Sequence, residues 1–198
     1  TPNNDGTFIF GASGGTQTYN GGLNTASVGG TVTLAGTIDS SNDVMTFGAI
    51  TLAAATTLDT NATNTTGDIT IGAVTGSNND LTLDTTTSTG SASHTFTGDI
   101  NLGTGRLSVT GDVVLGANVT ITARASNNHG IRIRDKINAD DATNNDRTLT
   151  LDAGTSSSIR VDNKIGDSQP LAGLTVTQTF NADFRATVDV SDSNAGTI

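Results

Sequence analysis

The residues best suited to chemistry lie in one short basic stretch, Ile131-Arg-Ile-Arg-Asp-Lys-Ile137. In an extended strand, Arg132 and Arg134 point to one side and the neighbouring isoleucines point to the other. Lys136 follows in the same stretch, and Arg160 lies on a neighbouring segment of chain. Because guanidinium and ammonium groups form strong hydrogen bonds with oxyanions, these four residues are a candidate binding site for an acidic glycan.

The same stretch has two other interpretations. Arg132, Arg134, Asp135 and Lys136 would suit the active site of an enzyme that cleaves acidic polysaccharide, where cations stabilise the charge that develops in the transition state. They would equally suit a solvated strand face whose bases pair with nearby Asp residues. The sequence favours the solvated face, because aromatic platforms and clustered carboxylates are not evident.

A candidate calcium site lies in the segment Asn138-Ala-Asp-Asp-Ala-Thr-Asn-Asn-Asp146. Its carboxylates, Asp140, Asp141 and Asp146, are the hard oxygen ligands that Ca²⁺ prefers. The spacing matches neither the EF-hand nor the glycine-rich calcium repeat, so a polar turn is the favoured interpretation. Ca²⁺ is the only cofactor that the sequence suggests.

The two histidines, His94 and His129, are predicted to lie at the surface. They are 35 residues apart and lack the short-spaced partners of a zinc site. No Gly-x-Ser-x-Gly elbow and no phosphate-binding loop occurs in the chain. The sequence therefore identifies no catalytic residue.

The elements that position these residues are short strands in which apolar residues alternate with Thr or Asp. Asp80-Leu-Thr-Leu-Asp84 and Thr148-Leu-Thr-Leu-Asp152 are examples, and turns of Gly, Asn or Asp follow such phrases. This alternation buries one side of a strand and exposes the other, so an all-β fold is predicted. The predicted strands are 7–10, 31–34, 44–47, 50–52, 69–71, 81–83, 94–97, 99–102, 107–110, 112–115, 119–122, 131–134, 148–151, 159–161, 174–177 and 186–190.

Recurring phrases predict how the strands are arranged. Asn-Asp phrases before a strand recur at offsets of 36 and 66 residues, which suggests a repeat of about 33 residues. The segment 147–178 would contain three strands of one such unit, as in a triangular β-solenoid. Its predicted inward residues are Leu149, Leu151, Ile159, Val161, Leu174 and Val176, and its predicted outward residues are Thr148, Thr150, Asp152, Arg160 and Thr175. A β-sandwich or jelly roll is the alternative, although it normally has more large aromatic residues than this chain.

Composition excludes several classes of protein. The formal net charge is −10, which argues against nucleic-acid binding because a phosphate-binding surface must be positive. No apolar run approaches the roughly 20 residues that span a bilayer, so no membrane span is predicted. All nine Lys and Arg residues lie at or beyond Arg106, which makes residues 1–105 strongly acidic and residues 106–198 nearly balanced.

The phrases Thr148-Leu-Thr-Leu-Asp-Ala-Gly-Thr155 and Pro170-Leu-Ala-Gly-Leu-Thr-Val-Thr177 resemble repeats of large secreted adhesins of the filamentous-haemagglutinin and autotransporter kind. The resemblance covers roughly residues 67–190. It implies a right-handed parallel β-helix at a bacterial surface or in its extracellular matrix, and it implies no catalytic residue. The N-terminal secretion domain of the best-known members has no counterpart in this sequence.

The expected function is therefore structural. We expect residues 1–198 to form a single elongated domain of a non-enzymatic extracellular fibre, matrix or adhesin. An open coil edge after the strand at 186–190 and the charge contrast between the halves favour end-to-end assembly with copies of itself. A carbohydrate-active enzyme acting on acidic polysaccharide is the alternative, and a cell-surface glycan is the other partner considered.

Overall fold

The computed structural model describes residues 5–12, 14–60, 66–85, 92–126, 129–140 and 147–190, and these residues form strands and turns without a helix. No helix in the described part is long and apolar enough to cross a membrane. The strands are β1 (Phe8–Phe10), β2 (Thr16–Thr18), β3 (Leu23–Asn24), β4 (Val32–Asp39), β5 (Met45–Phe47), β6 (Ile50–Asp59), β7 (Ile69–Ile71), β8 (Val74–Thr75), β9 (Leu81–Asp84), β10 (Ser93–Phe96), β11 (Ile100–Asn101), β12 (Leu107–Thr110), β13 (Asp112–Leu115), β14 (Val119–Thr122), β15 (His129–Ile133), β16 (Ile137–Ala139), β17 (Thr148–Val161) and β18 (Gly173–Phe184).

The strands stack in parallel on three faces, so the fold is the predicted triangular β-solenoid. The first face contains β1, β8, β11, β14 and the first halves of β4, β6, β17 and β18. The second face contains β2, β9, β12, β15 and the second halves of the same four long strands. The third face contains β3, β5, β7, β10, β13 and β16, followed by single bridges at Ile165 and Val188.

Each coil crosses the first, second and third face in turn, and we number the coils one to eight from the N terminus. Seven steps join the eight coils, which gives about seven turns. All pairings between the named strands are parallel, so the sandwich alternative is wrong.

The predicted repeat of about 33 residues is also wrong. Val32 pairs with Ile50, 18 positions on, whereas Val119 pairs with Leu149, 30 positions on. Leu174 pairs with Leu149, so it begins coil eight rather than completing coil seven. The coil length varies because strands stay in register while the corners between them differ in length. The predicted strand at 186–190 is reduced to the bridge at Val188.

The core is a stack of aliphatic side chains that runs along the axis. Five of the six predicted inward residues in 147–178 are buried, which confirms the alternation there. Val176 is the exception at 37% exposure, because it lies in coil eight and has a neighbouring coil on one side only among the described residues. Asp152, predicted to point outward, is buried beside Arg124. Alternation alone missed β2, β3, β8 and β16, which are short or lack a strong apolar pattern.

Large aromatic residues concentrate in the two terminal coils. Five of the seven Phe and Tyr residues lie there, and only Phe47 and Phe96 lie in between. In coil one, the rings of Phe8 and Phe10 stack at 5.7 Å, and Tyr19 meets Phe10 edge-on at 6.0 Å. Large rings cover more of an open core end than aliphatic side chains do. Coil eight contributes the other two, Phe180 and Phe184.

Candidate functional site

The predicted basic residues lie mostly on the second face of the last four coils. We call Arg106, Arg132, Arg134, Arg160 and Arg185 the basic stripe. Arg132 is in register with Arg160, and both point away from the isoleucine and valine residues of the core. The stripe therefore follows directly from strand alternation together with coil stacking.

A shallow depression of about 280 Å³ lies within the stripe, between coils five and six. Arg106, Ser108, His129, Arg132 and Arg134 line it. The sequence predicted Arg132 and Arg134 as ligand-binding residues, and the structure brings these two together at one depression. Sequence reasoning did not assign Arg106, Ser108 or His129 to it. The register between β12 and β15 brings Arg106 and Ser108 beside the two arginines, and His129 precedes an irregularity in β15 that breaks the simple alternation.

One carboxylate connects the arginines at the C-terminal end of the stripe. Asp162 accepts hydrogen bonds from Arg160 Nε at 2.5 Å and from Arg132 Nη2 at 3.3 Å, and Arg185 Nε lies 3.6 Å away. Burial raises the pKa of Asp162, but the hydrogen bonds from Arg160 and Arg132 outweigh it and hold that pKa below its usual value. Arg160 therefore belongs to an ion-pair network, and its guanidinium is engaged before any ligand arrives.

Arg134 has a different set of partners. Its Nη1 donates hydrogen bonds to Ser108 Oγ at 2.9 Å and to Thr110 Oγ1 at 3.2 Å. Both acceptors are hydroxyl groups, which hold the guanidinium in position without neutralising its charge. The depression thus contains a positioned cation.

The pKa of His129, the histidine in the depression, is shifted by its burial and by the charged groups around it. Burial lowers the pKa of His129, and the positive charges of Arg160 and Arg132 lower it further, whereas Asp183 and Asp162 raise it. The net direction is downward, so the imidazole is neutral at neutral pH. His129 is partly buried and lines this surface depression, so it lies at the surface as predicted.

Lys136, the fourth predicted ligand-binding residue, does not line the depression. It pairs with Asp167 at 2.7 Å, and Lys164 pairs with the same carboxylate at 2.6 Å. Hydrogen bonds from Lys136 and Lys164 lower the pKa of Asp167 to about 2. This is a separate ion-pair cluster at the corner that precedes the third face.

The predicted calcium ligands are only partly described. Asp140 forms an ion pair with Arg147, with Nε and Oδ1 2.7 Å apart. Asp141 and Asp146 lie outside the described residues. Within the described ranges, no group of three or more His or Asp side chains is close enough to hold a metal ion.

His94 is fully buried, so its predicted surface position is wrong. It occupies an inward position between Ile69 and Val113 in the stack on the third face. Its Nε2 lies 2.9 Å from the Thr110 carbonyl oxygen and 3.3 Å from Thr85 Oγ1. Burial lowers its pKa to about 4, against the hydrogen bond to Thr110.

An acidic column precedes the basic stripe on the same face. Asp39, Asp59 and Asp84 occupy one register position in coils two to four. The next position along this column is Thr110 in coil five, and Arg134 then follows beside it in coil six. The second face therefore changes along the axis from acidic to a mixture of arginine with the paired carboxylates of Asp162 and Asp183, which refines the charge contrast seen in the sequence.

A search against protein families found no match to this chain, and comparisons with curated proteins and with solved structures also found none.

Proposed function

We propose that this chain is a non-enzymatic structural or adhesive segment of an extracellular protein, a β-solenoid unit of a surface fibre, matrix or adhesin. In this proposal the solenoid extends by end-to-end stacking with further copies of itself. The observation that carries the proposal is the exposed edge and apolar surface of coil eight.

Coil eight presents a long strand with a free edge. β18 has 12 residues and pairs with β17 on one side, and no strand of the described part pairs with its other side. Unpaired backbone groups along such an edge are a template for another strand. Phe180 is 78% exposed and Val176 is 37% exposed on the same coil. Covering both side chains would stabilise a stacked assembly.

The partner surface in this proposal is coil one of a second copy. Coil one carries the partly buried rings of Phe8 and Tyr19, which offer an apolar surface of matching kind. Stacking would continue the parallel ladders and the aliphatic core from one copy into the next. The contact is heterologous, so it leads to an open filament rather than a closed dimer.

Particle length and mass test this proposal directly. Negative-stain microscopy and light scattering over a concentration series should show rods that lengthen as the concentration rises. The variant Phe180→Asp should abolish the lengthening, because it places a charge at the stacking surface. Val44→Asp is the matched control: Val44 is 46% exposed on coil two and should leave assembly unchanged.

The control variants also separate assembly from folding. Far-ultraviolet circular dichroism should be unchanged in both variants, since both residues are exposed. Wild-type protein that remains a short monomeric rod at the highest concentration would contradict end-to-end assembly.

The depression in the basic stripe favours one alternative function, an enzyme acting on acidic polysaccharide. Release of reducing ends from polygalacturonate by the wild type, lost in Arg132→Ala, would replace the structural proposal. We expect no release above the buffer control.

A further inference from the structure

We propose that the depression lined by Arg106, Ser108, His129, Arg132 and Arg134 binds an oxyanion group of an acidic polysaccharide, either a uronate carboxylate or a sulfate ester. This inference is independent of end-to-end assembly, because the depression lies on the side of the solenoid and involves neither terminal coil.

The first support is the charge balance inside the depression. Arg134 is held by two hydroxyl groups, and Arg132 has one contact to Asp162 at 3.3 Å. A guanidinium group has five N–H donors, so both arginines keep donors for a ligand. Two parallel N–H donors of a guanidinium match the oxygen spacing of a carboxylate or a sulfate.

The second support is a pair of polar atoms without partners. Arg132 Nε and His129 Nδ1 are shielded from solvent and have no hydrogen-bond partner in the described part of the chain. Shielded donors and acceptors without partners are costly. An oxyanion that enters the depression and shifts these side chains slightly would accept a hydrogen bond from Arg132 Nε, and from His129 Nδ1 in the tautomer that is protonated there.

The third support is the continuation of guanidinium groups beyond the depression. Arg160 and Arg185 extend the stripe through coils seven and eight, where Asp162 and Asp183 pair with them and leave further N–H donors on both side chains. A polymer with several anionic groups can contact successive coils at once and gains affinity from the repeated contacts. A single small anion would contact the depression alone.

Nucleic acid is the other polyanion with this charge pattern, and the surroundings disfavour it. The chain has a net charge of −10, and Asp39, Asp59 and Asp84 lie on the same face as the stripe. A phosphate backbone that continued past coil five would therefore meet carboxylates. The lining of the depression also contains no Phe, Tyr or Trp on which bases could stack.

Calorimetric titration with defined polymers tests the proposal. The probes are heparin for sulfate esters, polygalacturonate for carboxylates, dextran as a neutral polymer and a single-stranded DNA oligonucleotide. We expect heparin or polygalacturonate to bind, with an affinity that falls as salt is raised, and dextran not to bind. Heparin carries uronate carboxylates as well as sulfate esters. Binding of polygalacturonate therefore identifies the carboxylate, and binding of heparin without polygalacturonate identifies the sulfate ester.

Substitutions then locate the site. Arg134→Gln should weaken binding by about tenfold or more, and Arg134→Lys should weaken it less, since it keeps the charge and loses the paired donors. Asp162→Asn should tighten binding, because it releases Arg132 from a competing carboxylate. Arg147→Gln is the control: it removes the same charge from an ion pair at the start of β17. Thermal melting of each variant checks that the fold is retained.

Several results would overturn the proposal. One is the absence of binding to both acidic polysaccharides, and another is tighter binding to the oligonucleotide than to either of them. Equal losses in Arg134→Gln and Arg147→Gln would show that binding depends on net charge rather than on the depression.

Discussion

At the scale of single residues, the most unusual position is the imidazole inside an aliphatic stack. His94 lies between Ile69 and Val113, and its neighbours along the chain continue the inward alternation. Its charged form is disfavoured by burial, although Asp84, Asp68 and Asp135 raise its pKa in part. The hydroxyl of Thr85 and the carbonyl of Thr110 give Nε2 its partners, so this histidine is part of the core in its neutral form.

We therefore predict that the stability of the protein decreases as the pH falls. The pKa of His94 is lowered from 6.5 to about 4 in the folded state. Below pH 6.5 the unfolded state therefore binds more protons than the folded state, and the free energy of unfolding decreases as the pH falls. The free energy of unfolding should drop by about 2 kcal/mol between pH 7 and about pH 5. Urea denaturation at the two pH values measures this drop.

The variant His94→Val isolates the imidazole from the other titrating groups. Valine matches the register neighbour Val113, so the variant should keep the fold and lose most of the pH dependence over this range. An equal drop in wild type and variant would assign the effect to His129, whose pKa is also lowered, and to the carboxylates instead.

At the scale of elements, the corners between faces decide how far the chain can vary. Gly11 follows β1 at a corner with a φ of +70°, and a Cβ atom there would overlap the carbonyl oxygen of Ala35 in the next coil. Gly14 has a similar φ of +74°, but a Cβ atom added there would have no atom of the described chain within 4 Å apart from its two neighbours in sequence. Both glycines have a left-handed backbone, but the neighbouring coil lies close to Gly11 only.

This difference predicts unequal effects of substitution by alanine. Gly14→Ala should cost about 1 kcal/mol of unfolding free energy, from the left-handed backbone alone. Gly11→Ala should cost at least about 2 kcal/mol more, because the added methyl group forces coils one and two apart. Chemical denaturation of both variants tests the prediction, and equal losses would show that the corner moves freely.

The corners also explain why the buried positions could be predicted from the sequence but the length of a coil could not. Alternation in phrases such as Leu149-Thr-Leu151 identified buried positions, because burial of one strand side is a local property. The length of a coil could not be obtained in this way, because it depends on the corners. In β4 only one residue lies between Leu34 and Gly36, whereas residues 53–55 form a longer corner at the same place in β6.

The candidate site was predictable only in part for a related reason. Arg132 and Arg134 share a strand side, which alternation shows. Ser108 precedes Arg132 by 24 residues, and only the pairing of β12 with β15 brings it to the depression. Register between coils depends on corner lengths, so residues contributed by other coils could not be identified from the sequence.

At the scale of the whole molecule, the named strands of each coil pair only with strands of the coil before and the coil after it. Stability in such an arrangement is close to a sum over coils and their interfaces. The middle coils bury inward residues such as Leu83 and Val109 completely. In the terminal coils, the inward residue Phe8 is only partly buried and the inward residue Val176 is 37% exposed. The ends are therefore the least stabilised part of the described solenoid.

Hydrogen exchange should accordingly show a gradient along the axis. We expect the slowest amide exchange in β9 and β12 and the fastest in β1 and β18, because terminal coils open by local unfolding while central coils need a larger opening. Mass spectrometry of peptides after timed exchange measures the gradient, and a low protein concentration keeps the proposed stacking from protecting the terminal coils. Equal protection in all coils would show that the solenoid unfolds as a single unit.

The direction of the backbone hydrogen bonds has a mechanical consequence. They join one coil to the next and so run along the axis, as between Val113 and Ile137. A force that pulls the two ends apart loads these bonds one coil at a time, as in the opening of a zipper. A coil of 24 residues, the step from Val113 to Ile137, would release about 80 Å of extended chain. Under tension the protein would lengthen in discrete steps, each of which absorbs mechanical work before the next coil is loaded.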